Sequence, residues 1–264
     1  MSEQGPGQAG LITSKNNYEH GSAKTNWDEI FIRIDRQFTN PASKFHLSVR
    51  ELYVFILLKL SERKDQSIFT CIHMLEESSP LNFYKKGGGK NRKEISDTLL
   101  SLIDKEILLV SGEINCNKPY TPFYARINHS LIEKEKDWKG FNKLFLNVFQ
   151  KAKRPEHLYM YCVIMGYRDG FSCSYTEWTK IINRSTSSVK RYVKEVVEDG
   201  YKLFEVNYGK YLDGSRNRQE RNIYKITDFK ESEKTRQTKL KEKEKNKESV
   251  KQAFGDYEEA ENIF

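Results

Sequence analysis

Hydrophobic and polar positions repeat along this chain in two stretches of the same layout, roughly 110 residues apart. The first opens with Trp27 and an alternating apolar run over residues 30–34, and the second with Trp138, Phe141 and a similar run over residues 144–148. In each, a polar break and a strongly apolar helix precede a second helix, a third helix with a basic start, and two short strands. The repetition predicts two structural units of one kind.

The second unit follows this plan most clearly, beginning with a helix typical of a protein core. Three apolar residues have the i, i+4, i+7 spacing of one buried helix face: Leu158, Cys162 and Met165. This pattern ends at Gly166 and Gly170, both residues that stop helices. Ser174 is expected to cap a short second helix. The inward positions of that helix are Trp178, Ile181 and Ile182.

The third helix of the second unit is expected to begin near Ser185, after a turn at residues 183–184. Four valines at helical spacing predict its buried face: Val189, Val193, Val196 and Val197. Asp199 and Gly200 predict the end of the helix, because glycine readily adopts the conformation that closes a last turn.

The first unit follows the same plan with a longer turn. Ser48 is expected to cap a helix with apolar positions over residues 52–60, and residues 68–77 are expected to form the second helix. The third helix is expected over residues 92–105, with four apolar positions facing inward: Ile95, Leu99, Leu102 and Ile103. The sequence SSPLNFYKKGGGKN separates the second and third helices and is far longer than a standard helix-turn-helix turn. DNA reading is therefore better supported for the second unit.

Paired strands are expected to close each unit. Residues 107–114 and 123–127 form the predicted pair of the first unit, and residues 203–206 and 222–226 that of the second, where a Gly- and Arg-rich loop joins them. Three helices followed by a β-hairpin is the order of a winged-helix domain. The predicted fold class is therefore α+β and helix-rich, with two winged helix-turn-helix domains in tandem and disordered termini.

The two ends of the chain lack the periodicity of the units. We therefore expect a disordered arm at residues 1–25, winged-helix domain 1 at 26–136, a linker at 137–153, winged-helix domain 2 at 154–229, and a charged, largely disordered tail at 230–264. Two linked DNA-binding modules would raise avidity, provided that the linker spans the two sites.

Composition favours a polyanionic partner. The formal net charge is +8 and the pI is about 9.1, while 31% of residues are charged. Four cysteines lie far apart and are interpreted as reduced, mostly buried thiols of a cytosolic protein: Cys71, Cys116, Cys162 and Cys173. Neither a membrane span nor a signal peptide is recognisable, so a cytoplasmic location is expected.

The strongest candidate site is the third helix of the second unit. With the valines buried, the opposite stripe carries Ser187, Lys190, Arg191 and Lys194. Small hydroxyl residues at the helix start suit entry into a major groove and contact with phosphate: Ser185, Thr186, Ser187 and Ser188. The alternative is an ordinary serine-capped surface helix with solvated lysines.

Basic loops add two further candidate DNA contacts. In the second unit, the loop between the closing strands carries Lys210, Arg216, Arg218 and Arg221. In the first unit, the long turn and the helix start carry Lys85, Lys86, Lys90, Arg92 and Lys93 around three glycines. A phosphate-binding P-loop is excluded there, because Tyr84 and Asn91 occupy positions that require Gly and Ser or Thr. A solvated insertion is the alternative for the first-unit loop.

No catalytic motif is recognisable, so we expect a non-enzymatic protein without metal or cofactor. The histidines stand apart from one another: His20, His46, His73, His129 and His157. The last residues, DYEEAENIF, are interpreted either as a frayed tail or as a short peptide that binds host replication proteins.

The sequence YTEWTKIINRSTSSVKRYVKEVVEDG, followed by a wing, resembles the helix-turn-helix of plasmid replication initiators and phage replisome organisers. The first-unit sequences WDEIFIRIDRQFTN and LSVRELYVFILLKL are similar to the opening of such initiators. The resemblance implies sequence-specific binding to double-stranded DNA repeats at an origin and recruitment of host helicase-loading machinery. A transcriptional repressor of the same fold is an alternative that shares these residues. A third interpretation is a protein-interaction scaffold, in which winged helices bind partners instead of nucleic acid. A homodimer is an open possibility.

Overall fold

The structure, a computed structural model, describes residues 31–81, 83, 89–134, 140–198, 203–210 and 220–226. The arm, the tail, and the residues Trp27, Trp138, Asp199 and Gly200 lie outside these ranges. The described chain is a helix-rich mixed α/β structure with three small antiparallel sheets.

The first half contains four strands and four α-helices: β1 (Phe31–Asp35), a short 3-10 helix (Arg36–Thr39), α1 (Val49–Ser61), β2 (Ile68–Thr70), α2 (Ile72–Glu77), α3 (Gly89–Asp104), β3 (Leu108–Ser111), β4 (Phe123–Ile127) and α4 (His129–Lys134). The predicted cap at Ser48 is confirmed, since its hydroxyl accepts a bond from the Glu51 amide at 3.3 Å. The Glu51 carboxylate in turn accepts from the Ser48 amide at 2.6 Å, which completes a capping box.

The second half has the same kinds of element: β5 (Phe141–Phe145), α5 (Leu146–Lys151), α6 (Pro155–Met165), β6 (Phe171–Cys173), α7 (Tyr175–Ile182), α8 (Thr186–Glu198), β7 (Glu205–Asn207) and β8 (Asn222–Lys225). Ser174 caps α7 as predicted, again in a capping box, here with Glu177. Asn183 ends α7 in the left-handed conformation, with φ of 51°, which short polar side chains tolerate.

The two halves share one topology. Their three-stranded sheets have the orders β2-β4-β3 and β6-β8-β7, so the last strand is central in both. The predicted hairpins are confirmed as β3–β4 and β7–β8. In each sheet, the strand between the first and second helices was not foreseen.

The predicted helix over residues 68–77 was wrong at its start. Residues 68–70 form β2, which pairs with β4. Ile68 and Thr70 are buried whereas Phe69 is exposed, the alternation of a half-buried strand. Cys71 then caps α2, its sulfur accepting from the Met74 amide at 3.4 Å.

One hydrophobic core runs through both halves. Helix α1 of the first half contacts α6 of the second half within this core. The prediction of one buried face on α6 was too narrow, because every residue from 155 to 164 is buried and only Met165 at the end is partly exposed. A helix that is apolar on all sides belongs inside a protein rather than at its surface.

The expected linker, residues 137–153, includes a strand and a helix that join this core. Strand β5 pairs with β1 in an antiparallel ribbon, with Phe31 opposite Phe145 and Asp35 opposite Phe141. Leu144 of β5 and Val148 of α5 are completely buried. Within the described ranges, no helix combines the length and the apolar character needed to cross a membrane.

Candidate nucleic-acid interface

A tight turn sets the start of α8. The Arg184 amide donates to the Thr179 carbonyl at 3.2 Å, which closes α7. Ser185 then acts as the N-cap of α8, its hydroxyl accepting from the Ser188 amide at 3.3 Å. The Ser185 hydroxyl also lies 3.1 Å from that of Ser187. The helix therefore starts with a cluster of hydroxyl groups on exposed backbone.

The buried face of α8 agrees with the predicted pattern. Val189, Val193 and Val196 are fully buried, and Val197 is partly buried. Tyr192 is also buried, although it was not among the predicted inward positions. These side chains orient the helix so that one defined side meets solvent.

The solvent side of α8 carries hydroxyl and cationic side chains: Thr186, Ser187, Lys190, Arg191 and Lys194. Ser188 is partly buried. Lys190 Nζ lies 5.7 Å from the centre of the Tyr175 ring, and Arg191 Cζ lies 5.4 Å from that of Tyr192. Contact with an aromatic face restrains a long cation without neutralising it. Among the described side chains, this solvent side is wholly positive or neutral.

Two ion pairs hold α8 against the start of α6. Arg154 makes a two-pronged contact with the Glu195 carboxylate, at 2.8 and 2.9 Å. The buried His157 lies 3.3 Å from the same carboxylate. At the other end of α8, Arg184 Nε donates to Glu156 at 3.0 Å. Arg154 offsets the charge of Glu195, so the cations of the exposed stripe dominate the local field.

These contacts were not predictable from local sequence patterns, because Arg154 and Glu195 are far apart along the chain. The sequence shows only that Arg191 and Glu195 have the i, i+4 spacing of a helical ion pair. Their atoms are 3.9 Å apart and Arg191 is exposed, so this ion pair is weak.

The β7–β8 hairpin requires a glycine at its base. A Cβ atom on Gly209 would lie 2.2 Å from the Glu220 carbonyl oxygen, so no other residue fits without movement. The Gly209 amide donates to the Asn222 side chain at 3.1 Å. The Glu220 amide donates to the Lys210 carbonyl at 2.9 Å, which brings the two sides of the loop together.

The candidate contacts on this loop have different surroundings. Lys210 is exposed. Arg221 is also exposed, but its guanidinium donates to Glu177 of α7 at 2.5 Å. Bonds from Ser174, with its backbone amide first, lower the pKa of Glu177, which therefore stays ionised beside Arg221. Arg216 and Arg218 lie outside the described residues.

The first-unit candidates lie at the start of α3. Lys90 and Lys93 are exposed, whereas Arg92 donates to Glu76 of α2 at 2.7 Å and is partly buried. Lys85 and Lys86 lie outside the described residues. Farther along α3, the exposed positions are Asp97, Leu100 and Asp104. The structure therefore gives α3 a mixed surface.

The buried thiols do not form part of this surface. Cys71, Cys162 and Cys173 are buried as predicted, and all four cysteines are free. Burial raises the pKa of Cys162 to about 12, and that of Cys173 to about 12, so both stay protonated at neutral pH. Within the described ranges, no three His, Cys, Asp or Glu side chains are grouped as metal ligands.

Comparison with known proteins leaves this surface without a template. No model of a protein family matches the chain, and no curated protein matches it significantly. The functional interpretation therefore depends on the geometry of α8 and of the β7–β8 hairpin.

Proposed function

We propose that this chain is a non-enzymatic protein with two winged-helix units in tandem, and that it binds double-stranded DNA through α8 and the β7–β8 hairpin. The observation that carries the proposal is the two-sided character of α8. Val189, Val193 and Val196 are buried on one side, and Lys190 and Arg191 are exposed on the other.

The connection between α7 and α8 supports this proposal. It comprises residues 183–185, the length of a helix-turn-helix turn. A major groove is wide enough to admit one α-helix. The helix would enter with its hydroxyl-rich end first, where free amides and the helix dipole favour phosphate.

The hairpin supplies a second contact beside the helix. Lys210 is exposed at its base, and the loop that follows contains Arg216 and Arg218. Cations that touch phosphates displace counterions, so affinity should fall steeply as salt is raised.

We extend the proposal to a role in replication of a plasmid or phage, because the α7–α8 sequence resembles that of replication initiators and replisome organisers. In that role the protein would bind repeats at an origin. Loss of origin firing on deletion of this protein supports the role. Normal replication with altered promoter activity would instead identify a repressor.

The DNA-binding proposal is tested with the double variant Lys190→Glu, Arg191→Glu. Anisotropy of a labelled pool of random 30-bp duplexes, read over a salt series, reports affinity. We expect a loss of more than about tenfold and a salt slope reduced by about 2, since about one counterion is released per phosphate contact.

The matched control is Arg63→Glu, Lys64→Glu, which makes the same change in net charge at two adjacent exposed residues after α1. Equal losses in the two double variants would attribute binding to overall charge and would contradict the proposal. A protein-interaction scaffold is indicated if wild type binds no duplex at any salt concentration.

A further inference from the structure

The β1–β5 ribbon has an outward face that α8 and the hairpin do not explain. Because side chains alternate along a strand, one face carries Phe31, Arg33, Asp35, Phe141, Lys143 and Phe145. We call this set the ribbon face. Its three cross-strand rows are Phe31 with Phe145, Arg33 with Lys143, and Asp35 with Phe141.

Cations and rings interleave on the ribbon face. Arg33 Cζ lies 4.8 Å from the centre of the Phe141 ring, and Lys143 Nζ lies 4.8 Å from that of Phe31. Phe31 and Phe145 meet edge to face at 5.9 Å. Arg33 and Lys143 are exposed, and Phe141 is 38% exposed. Phe31 and Phe145 are partly buried, so solvent reaches the Phe141 ring and both charges most fully.

The central row opposes two like charges. Directly opposite residues of an antiparallel pair have Cβ atoms about 5 Å apart, and like charges in that arrangement destabilise the pair. Each of these cations lies over an aromatic ring, and Asp35 lies on the same face. A bound anionic group between the two cations would relieve this repulsion.

The opposite face of the ribbon fixes it to the core. Ile34 and Leu144 are completely buried there, and the Asn142 amide donates to the Cys162 carbonyl of α6 at 2.7 Å. The ribbon face is thus a rigid surface rather than a mobile loop. Rigid rings lose little entropy when a flat ligand stacks on them.

We propose that the ribbon face binds single-stranded nucleic acid. Bases would stack on the exposed rings, and the sugar-phosphate backbone would pass over Arg33 and Lys143. Interleaved aromatic and basic side chains suit this ligand, because every base has a π-face and every nucleotide carries a negative charge. A duplex hides its base faces inside the stack, so it would gain only the charge contacts. This site is separate from the duplex-binding surface proposed on α8.

The test measures anisotropy of labelled 20-nucleotide oligothymidylate and oligouridylate with the full chain. Phe141→Ala removes an exposed ring and should weaken binding roughly five- to a hundredfold, the range for loss of one base–aromatic stack. Phe141→Trp keeps an aromatic ring at this position and should retain oligonucleotide binding. Wild-type affinities rank the two oligonucleotides as ligands, and an unchanged affinity for both in Phe141→Ala would overturn the proposal.

A second variant separates binding from folding. Lys143→Glu places a carboxylate opposite Arg33, so the thermal unfolding temperature should hold or rise while oligonucleotide affinity falls. Tyr124→Ala is the matched control for Phe141→Ala, because Tyr124 is also an exposed aromatic residue but lies on a strand of another sheet. An equal loss of affinity in Tyr124→Ala, or wild-type affinity in Lys143→Glu, would overturn the proposal.

The duplex-binding proposal for α8 and the single-strand proposal for the ribbon face fail independently. The variant Lys190→Glu, Arg191→Glu should lose duplex binding and keep oligothymidylate binding, whereas Phe141→Ala should do the reverse. If the α8 variant abolished binding to both ligands, the ribbon face would not be a site of its own.

Discussion

Helices α3 and α8 occupy the same place in the two units, each followed by a hairpin whose second strand is central in its sheet. Their buried sides are alike, with aliphatic residues such as Leu99 in α3 and Val193 in α8. Their solvent sides differ: α3 carries Lys90 and Lys93 at its start and Asp97 and Asp104 farther along, whereas α8 presents hydroxyl groups and cations. The two helices thus share a pattern of buried aliphatic residues and a topology, while the residues on their solvent sides differ.

The connections that precede the two helices also differ, in length. Residues 183–185 lead into α8, whereas residues 78–88 lead into α3. Arg92 at the start of α3 is engaged by Glu76, which lowers its availability to phosphate. Under the proposed function, the mixed charge of α3 and its long connection favour α8 over α3 as the helix that contacts DNA.

The largest expected difference between the units is the loss of stability when an arginine that anchors the third helix is removed. Arg154→Ala removes both contacts to Glu195 and leaves that partly buried carboxylate beside His157, so we expect a loss of about 1–3 kcal/mol of stability. Arg92→Ala removes one contact to Glu76 and should cost about 1 kcal/mol or less. Urea unfolding of the two variants measures both values, and an equal cost would contradict the asymmetry.

Local signals made much of the fold predictable. Ser48 and Ser174 were recognisable caps because each is followed three residues later by a glutamate, and the valines of α8 repeat at helical spacing. The exposed stripe at Lys190 and Arg191 followed from those valines.

Nonlocal contacts were not predictable in this way. Strands β2 and β6 are three residues long, too short for hydrophobic alternation to identify them from the sequence. The partner of β1 lies more than about 100 residues along the chain, so no local rule connects β1 to β5. The ion pairs of Arg92 and Arg154 were hidden for the same reason.

Acid should affect the contacts around α3 through His46. Burial, and then the charge of Lys105, lower the pKa of His46 below 6.5. Its ring bonds to the Tyr159 hydroxyl of α6 at 2.9 Å, and Lys105 donates to the His46 carbonyl at 2.8 Å. Below pH 6.5 the unfolded chain therefore binds a proton that the folded chain resists, so stability should fall as pH drops from 7.5 to 5.5.

Thermal unfolding at the two pH values measures this effect, with His46→Gln as the variant that keeps a hydrogen-bonding side chain and cannot titrate. Burial alone would raise the pKa of Glu51, but bonds from Lys105, Ser101 and Ser48 outweigh it and lower that pKa. Glu51 therefore stays ionised in this window, and its contribution is lost only at lower pH. A pH response unchanged in His46→Gln would assign the effect to another group.

The smallest expected effect is a gain of binding on α3. Asp97→Lys converts an exposed acidic position of α3 into a cation, in line with the solvent side of α8. If Lys90 and Lys93 already lie near phosphate, the added charge should raise duplex affinity by a few-fold and steepen the salt slope by at most about 1. Glu133→Lys makes the same charge change at an exposed residue of α4 and serves as the control. A gain of duplex affinity in Asp97→Lys alone would indicate that the first unit also approaches the duplex. Equal gains in the two variants would indicate that the added charge acts only at long range and that, under the proposed function, only α8 contacts DNA.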